Sequence, residues 1–412
     1  MDICPTERHG RPWGQVVQVL EPSTSRAVDD CQYLYDCPGC TVRQLQPQWQ
    51  LELQRKRIAR ALGAMPRHRH SDPSKLDIQC IGAAPRDGYR TRAIARALVN
   101  HHGALELGIV GYQRTVPLDS CPVQTQRVRT ILRQVTQDLR TLGWRHYDTL
   151  TRQGQVRHVV VDAYDPMPHS IHRSARCVIC LGKPSDRPIT SADFPSVDQD
   201  VSLALDVLPY RRPGTFKDPV ALRGSLSIHY QVGDDLIRST VPAWCPQSPM
   251  TVVRLRDVIM EWLDVGAADT VLEVGCGTGV HTIEMLRRGA RVAGLDYCRA
   301  AIDDARENTK RAGFDNVQLR VCEASKGLYR FGQLAGSVTK AVCHGMRVPF
   351  GPRAMAQLAA LAPQRIVLVG PSMNSVSTDA QQLQSYRVQR VGFIDQTPGT
   401  AQALTVLQLD RV

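Results

Sequence analysis

The sequence predicts an α/β protein in which a C-terminal doubly wound, Rossmann-like domain follows an α+β domain. Residues 270–296 contain a β-branched apolar run, a glycine-rich turn, a helical pattern and a second apolar run, which is the first unit of a parallel sheet covered on both faces. Upstream, short β-type runs alternate with two helical patterns in a basic, cysteine-rich segment. We therefore expect a short N-terminal arm over residues 1–26, one domain over 27–242 and another over 243–412.

The totals are those of an ordinary globular protein, with 42% hydrophobic and 22% charged residues in 412. No apolar run is long enough to span a membrane, and the N-terminus has no apolar export signal. The cysteines of a chain that is not exported are expected as thiols or metal ligands rather than disulfides. These features predict a cytoplasmic protein without a membrane partner.

The net charge of +12 is concentrated in one part of the chain. Residues 50–130 contain 14 Lys and Arg against 6 Asp and Glu, a local net charge of +8. Such an excess favours a polyanionic partner, most simply nucleic acid, although a solvated basic surface is the alternative.

Three cysteines are closely spaced as Cys31-x5-Cys37-Pro-Gly-Cys40. Thiolates at this spacing can converge on zinc or on an iron–sulfur cluster, with Cys121 as the candidate fourth ligand. The alternative is a set of incidental buried thiols. The pair Cys177 and Cys180 lies in a strand-like run, so these two side chains are expected to be buried on opposite faces of a sheet.

The glycine turn offers a ligand site. Gly275, Gly277 and Gly279 give a ligand room near the backbone, Glu273 lies inside the preceding strand, and Asp296 ends the next strand. These positions resemble the S-adenosylmethionine (SAM) site of class I methyltransferases. The alternative is a turn that only packs a strand on a helix.

Later strands are predicted at residues 317–321, 340–343 and 365–369. Ligands of doubly wound sheets bind at the carboxyl ends of the strands. We therefore expect Glu273, Asp296, Glu323, His344 and Pro371 to line one crevice.

The cysteine spacing, the Gly88-Tyr89-Arg90 segment leading to Cys121-Pro122, and the C-terminal glycine turn together resemble the RNA 5-methyluridine methyltransferases that carry a [4Fe-4S] cluster. The resemblance implies a class I SAM-methyltransferase domain, a SAM site, and a monomer that acts on ribosomal or transfer RNA. It places the cluster on Cys31, Cys37, Cys40 and Cys121, and SAM on Gly275 to Val280, Asp296 and Glu323. The N-terminal β-barrel module of many members is not expected here.

Four reactive positions depart from that family. Its members add a cysteine thiolate to uracil C6, methylate C5, and remove the C5 proton with a carboxylate. Pro371 stands at the nucleophile position, Gln402 at the base position, His344 at the aspartate that holds uracil, and Pro246 at a glutamine before the fold. The usual thiol-addition route is therefore not expected to operate.

Three hypotheses remain. In the first, the chain is a methyltransferase with altered chemistry: Cys343 and His344 replace the missing nucleophile and base, or the chain methylates a heteroatom, which needs no covalent nucleophile. In the second, the chain is a non-catalytic relative that binds RNA or the ribosome, and in the third it is a DNA-binding or redox-sensing protein that uses the cluster.

Overall fold

A computed structural model describes residues 2–8, 11–29, 31–65, 75–165, 172–208, 214–345 and 348–412, with side chains from residue 19 onward. Within these ranges, no helix is both long and apolar enough to cross a membrane.

The first part of the chain forms two helices among short strands. The elements are β1 (Asp2–Arg8), β2 (Arg11–Gln18), α1 (Pro47–Gly63), β3 (Ile78–Ala83), β4 (Arg92–Val99), β5 (Leu105–Val110), β6 (Thr115–Pro117), α2 (Gln126–Thr141), β7 (Val156–Ala163), β8 (Ala175–Leu181), β9 (Val201–Val207), β10 (Val220–Arg223), β11 (Ser227–Val232) and β12 (Asp235–Thr240). The two helical patterns of this part form α1 and α2, as predicted, and β5 pairs with β6 in a hairpin.

The second part alternates helices and strands, as the glycine turn predicts. The elements are α3 (Pro249–Leu263), β13 (Thr270–Val274), α4 (Val280–Arg287), β14 (Arg291–Asp296), α5 (Arg299–Arg311), β15 (Gln318–Val321), α6 (Ala324–Leu334), β16 (Lys340–His344), α7 (Pro352–Leu361), β17 (Arg365–Gly370), α8 (Met373–Ala380), β18 (Tyr386–Asp395) and β19 (Leu404–Arg411). Strand β18 was not predicted.

An eight-stranded sheet forms the C-terminal core, in the order β15-β14-β13-β16-β17-β19-β18-β3. The five strands from β15 to β17 are parallel, and β13 lies between β14 and β16. The strands that follow β13 in the chain lie on both of its sides, β14 and β15 on one and β16 and β17 on the other. A crevice therefore opens beside the carboxyl end of β13, where doubly wound sheets bind ligands. The predicted doubly wound fold is confirmed.

Two elements from the N-terminal part belong to this sheet's structure. Strand β3 pairs in parallel with β18 at the edge of the sheet. Ile58 and Leu62 of α1 are buried in the same apolar core as Leu272 and Leu368. The domain boundary at residues 242 and 243 stays a prediction, but the structure shows that α1 and β3 are packed with the later strands.

A seven-stranded sheet forms the other core, in the order β10-β9-β8-β7-β4-β5-β6. Helix α2 buries Ile131, Leu132 and Leu139 against it. Cys177 and Cys180 of β8 are both buried and belong to different apolar clusters, so their predicted positions on opposite faces are confirmed.

Buried charges join this sheet to the segment that precedes α3. Asp162 in β7 is fully buried and accepts hydrogen bonds from Arg92 at 2.7 Å and from Arg176 at 2.9 Å. Arg176 also donates to the carbonyl oxygen of Ser239 at 2.8 Å and to Sγ of Cys245 at 3.2 Å. Since an unpaired buried charge is costly, these contacts fix residues 239–245 against the sheet.

Candidate active site

A cavity of about 960 Å³ opens at the carboxyl ends of β13, β14, β15 and β16. Its wall includes Gly275, Gly277 and Val280 of the glycine turn, together with Asp296 and His344. Glu323 also lines it. The predicted crevice therefore exists, and most of the predicted residues meet there.

The glycine turn needs glycine for two different reasons. Gly275 and Gly279 have φ angles of 79° and 88°, in the left-handed region that other residues rarely adopt. A Cβ atom at Gly275 would lie 2.5 Å from the carbonyl oxygen of His344. Gly277 also has a left-handed φ angle, of 54°, but a Cβ atom there would meet no atom within 4 Å, because this residue faces open space. The turn thus exposes bare backbone to the cavity, while Gly279 starts α4.

Asp296 is held in place by the turn. Its Oδ2 accepts a hydrogen bond from the backbone N–H of Gly277 at 3.1 Å, and its Oδ1 accepts one from Cys298 at 2.8 Å. Burial raises the pKa of this carboxyl, while these backbone donors oppose the rise. Each carboxylate oxygen keeps a further lone pair, so Asp296 can accept hydroxyl hydrogen bonds from a ligand.

Glu323 lies at the exposed rim of the cavity, at the N-terminus of α6. Its carboxylate pairs with Lys326 at 2.6 Å and accepts a hydrogen bond from Ser325 at 2.6 Å. These hydrogen bonds lower the pKa of the Glu323 carboxyl. The side chain is therefore an anion at the mouth of the cavity.

Glu273 lies in β13, fully buried, and is not in the cavity wall. Thr282 of α4 donates a hydrogen bond to its Oε2. Burial raises the pKa of Glu273 to about 8, with a smaller contribution from Asp296. This geometry supports a structural role for Glu273, which connects β13 with α4 behind the glycine turn.

Two histidines stand at the β16 side of the cavity. The rings of His281 and His344 have centroids 5.5 Å apart and planes inclined by 45°. Burial lowers the pKa of His281 to about 3 and that of His344 to about 4, so both are neutral near pH 7. His281 is a functional candidate that the sequence reasoning missed; its position two residues after Gly279 is the signal that could have found it.

The proposed substitute nucleophile does not reach the cavity. Cys343 is 1% exposed, and its side chain packs in the apolar core with Leu272 and Leu368. Burial raises the pKa of its thiol far above the usual range. Alternate residues of a strand face opposite sides of the sheet, so Cys343 and His344 cannot both point to the same ligand. Only His344 of this pair lines the site.

The two positions that the resemblance assigns to the nucleophile and the base lie outside the cavity wall. Pro371 follows β17 and is partly buried, and Gln402 is exposed. Gln396 and Leu404, which flank the loop containing Gln402, do line the cavity.

The loop between β18 and β19 is bound to the N-terminal part of the chain. The backbone N–H of Gly399 donates to Oε1 of Gln50 at 2.7 Å, and Val42 donates to the carbonyl oxygen of Gly399 at 2.8 Å. Gln54 and Arg57 of α1 donate to the carbonyl oxygens of Thr400 and Ala401 at 3.2 Å and 2.7 Å. The cysteine segment and α1 therefore support this edge of the cavity.

The cysteine segment is built on buried ion pairs. Arg43, whose side chain is 1% exposed, pairs with Asp29 at 2.8 Å and with Asp87 at 2.7 Å. Asp29 also pairs with Arg86 at 2.7 Å and accepts the backbone N–H of Cys31 at 3.0 Å. These contacts fix the chain on both sides of the clustered cysteines.

The four predicted cluster ligands lie close together. Burial raises the pKa of the Cys40 thiol to about 12, and the neighbouring Cys121, Cys37 and Cys31 add to the rise by repulsion between thiolates. The pKa of Cys37 is raised first by burial, and Cys121 and Cys31 contribute in the same way. In the described part of the chain, however, no group of three or more Cys, His, Asp or Glu side chains already has an arrangement that could hold a metal ion.

The positive side chains of residues 50–130 are of two kinds, those buried in ion pairs and those exposed on the surface. Arg92 is buried and paired with Asp162, so this member of the basic segment is not available to bind nucleic acid at the surface. The positive charge of Arg92 compensates the buried carboxylate of Asp162 within the sheet. In contrast, Arg55, Lys56 and Arg60 of α1 are exposed. Arg96 and Arg114 are exposed as well, and among these exposed charges those of α1 lie beside the loop that borders the cavity.

Comparisons with known proteins agree with this architecture. Residues 266–345 match the family model described as a methyltransferase domain. The chain is 24% identical to an RNA methyltransferase of Halalkalibacterium halodurans, over 98% of this chain and 88% of that protein. It is 25% identical to a 23S rRNA (uracil(1939)-C(5))-methyltransferase of Alkalilimnicola ehrlichii, over 94% of this chain and 83% of that protein.

A solved structure has the same fold over nearly the whole chain. It is the tRNA (uracil-54, C5)-methyltransferase of Pyrococcus abyssi in complex with S-adenosyl-L-homocysteine, with a TM-score of 0.76 and 19% identity. The match covers 98% of this chain and 91% of that one.

Proposed function

Because this chain is a relative of the RNA uracil-C5 methyltransferases, we propose that it is a SAM-dependent RNA methyltransferase that does not use the thiol-addition route. One observation carries the proposal. The bare backbone of the glycine turn, the carboxylate of Asp296 and that of Glu323 meet in one cavity, in a chain that matches RNA methyltransferases along its length.

The residues present fit SAM. Asp296 is anchored by two backbone donors and has lone pairs left for the two ribose hydroxyls of a nucleoside. The open backbone at Gly277 leaves space for the amino acid part of the ligand, and Glu323 is placed to accept hydrogen bonds at the rim. SAM supplies an electrophilic methyl group when it is bound. Glu273 would support the turn from behind rather than touch the ligand.

Removing the Asp296 carboxylate is expected to weaken cofactor binding. The Asp296→Ala variant loses hydrogen bonds to a charged acceptor, which are worth about 1.5–3 kcal/mol. Calorimetry with S-adenosylhomocysteine should therefore show about 10- to 150-fold weaker binding. Asp257→Ala, at an exposed carboxylate outside the cavity wall, is the matched control. If the unaltered protein binds no S-adenosylhomocysteine, the cofactor assignment is contradicted.

We propose RNA, ribosomal or transfer, as the substrate and α1 as part of its binding surface. The support is the exposed charge of Arg55, Lys56 and Arg60, next to a loop whose ends border the cavity. Positive side chains on one helix face can follow a phosphate backbone. The protein would act as a monomer in the cytoplasm.

Charge reversal on α1 tests this surface. The double variant Lys56→Glu and Arg60→Glu is expected to weaken binding to all RNA sequences alike. The slope of log affinity against log salt should fall by about 1 for each phosphate contact that is lost. Arg288→Glu with Lys310→Glu, at exposed positions directly after α4 and on α5, is the control. Equal affinity and slope for both double variants would contradict a phosphate-binding role for α1.

We also propose that Cys31, Cys37, Cys40 and Cys121 hold a [4Fe-4S] cluster. Four mutually close thiols are the donor set that such a cluster uses. The raised pKa values of Cys37, Cys40 and Cys121 reflect a site that needs positive charge to keep these thiols deprotonated. The Arg43 ion pairs would hold the segment in position.

Metal analysis of protein purified without oxygen tests the cluster. About four irons per chain are expected, and Cys37→Ser should lose them. Cys80→Ser, at an exposed thiol outside the set, should keep the iron. One zinc per chain with no iron would contradict the cluster.

A second candidate function is that of a non-catalytic RNA-binding relative. It is favoured by Pro371 and Gln402, which bring neither a thiol nor a carboxylate to the cavity. Nucleoside mass spectrometry of RNA from a deletion strain distinguishes the two candidates. Loss of a methylated nucleoside, restored by the native gene, supports the enzyme, whereas unchanged RNA supports the non-catalytic relative.

A further inference from the structure

The histidine pair of the cavity lies apart from Asp296 and Glu323, the two carboxylates proposed to bind the cofactor. His281 comes from the first turn of α4 and His344 from the end of β16, and both line the cavity. His281 is 5% exposed, and within the described residues its Nδ1 atom has no hydrogen-bond partner. Since a buried polar atom without a partner costs free energy, Nδ1 is expected to gain one when a ligand enters.

The sheet order separates the two ends of the cavity. Asp296 and Glu323 follow β14 and β15, on one side of β13, whereas His344 follows β16 on the other side. A nucleoside cofactor held by the two carboxylates would therefore occupy the β14–β15 side. The acceptor of the methyl group would be bound on the side of the histidines.

The histidine side of the cavity is suited to a flat, apolar-faced group. The Phe350 ring lies against Gly345, where an added Cβ would be 3.1 Å from it. The carboxylate of Asp379 accepts the backbone N–H groups of Phe350 and Gly351, each at 2.9 Å, and so fixes this ring. Trp244 also lines the cavity. Aromatic walls of this kind bind a nucleobase that has been rotated out of its stack.

The thiols of the cavity wall lie away from the histidines. Cys276, Cys298 and Cys322 are placed by the turn after β13 and by the ends of β14 and β15. They are therefore on the cofactor side, and among the described residues no thiol lines the histidine side of the cavity. A carbon that must first be activated by thiolate addition is not a suitable acceptor there.

We propose that His281 is the general base of this enzyme, and that the acceptor is a ring or exocyclic nitrogen of an RNA base that carries a proton. The proposal rests on the proposed function and specifies its substrate class. The nitrogen lone pair forms an N–C bond to the methyl group while the C–S bond breaks and its electrons remain on sulfur. The N–H proton passes to an imidazole nitrogen of His281 and then to solvent.

The environment supports this role for His281. Burial together with repulsion from His344 lowers the pKa of His281 to about 3, so the imidazole is neutral near pH 7 and free to accept a proton. The same shift makes the ring a weak base, so the proton moves as the N–C bond forms, when methylation has made the acceptor nitrogen cationic and strongly acidic. His344 would position the acceptor base through its own ring. No covalent link between the protein and the RNA is formed at any stage.

The product tests the proposal directly. RNA from a strain that lacks the gene is incubated with the purified protein and SAM carrying a trideuterated methyl group, and the nucleosides are analysed by mass spectrometry. The expected product carries the label on a base nitrogen. RNA containing 5-fluorouridine should give no adduct that survives denaturing electrophoresis. Label at uracil C5 or on ribose, such an adduct, or no labelled nucleoside would each overturn the proposal.

Variants of His281 distinguish a general base from a side chain that has only a structural role. His281→Asn and His281→Gln are expected to lower kcat at least about 100-fold, the usual contribution of a general base, with unchanged affinity for S-adenosylhomocysteine. His229→Asn, at another buried histidine that is outside the cavity wall, is the control and should keep kcat. Either His281 variant with unaltered kcat would refute the role. Failure of the unaltered protein to bind S-adenosylhomocysteine would instead refute the proposed function itself.

Discussion

One buried carboxylate, that of Asp162, connects the seven-stranded sheet to the chain segment that precedes α3. Asp162 neutralises part of the charge of Arg92 and Arg176, and Arg176 then binds the chain at Ser239 and Cys245. Hydrogen bonds from the hydroxyls of Thr91 and Tyr164 to the carbonyl oxygen of Pro246, at 2.9 Å and 2.8 Å, continue the same connection. Pro242, Trp244 and Pro246 form part of the cavity wall, so the shape of the site depends on a contact within the other sheet.

Local sequence patterns were sufficient to predict the parallel sheet and the end of the cavity that contains the glycine turn and Asp296. An apolar strand followed by glycines that need left-handed φ angles has few structural solutions, and the acidic residue at the end of β14 must then lie beside the turn. The likeness to RNA uracil-C5 methyltransferases, which we inferred from the cysteine spacing and this turn, is confirmed by relatives that match nearly the whole chain. Neither observation depends on contacts between distant residues.

Features set by distant contacts could not be predicted. The charge of Arg92 looked like a surface charge because its partner, Asp162, is 70 residues away in the chain. Strand β3 joins the edge of the C-terminal sheet by pairing with β18, more than 300 residues later. His281 and His344 meet only because β13 and β16 are neighbours in the sheet. Alternation along β16 does predict that Cys343 and His344 face opposite ways, although the two residues were first considered as a pair.

The Asp162→Asn variant measures most directly how far the cavity depends on the Asp162 carboxylate. The variant leaves two guanidinium groups without their carboxylate, so urea denaturation should show a loss of about 3–5 kcal/mol in the free energy of unfolding. Affinity for S-adenosylhomocysteine should fall as well, because the wall that contains Trp244 loses its support. Asp200→Asn, at an exposed ion pair with Arg127, should cost less than about 1 kcal/mol and leave the affinity unchanged. Unaltered stability and unaltered affinity in Asp162→Asn would contradict the claim that this carboxylate organises the site.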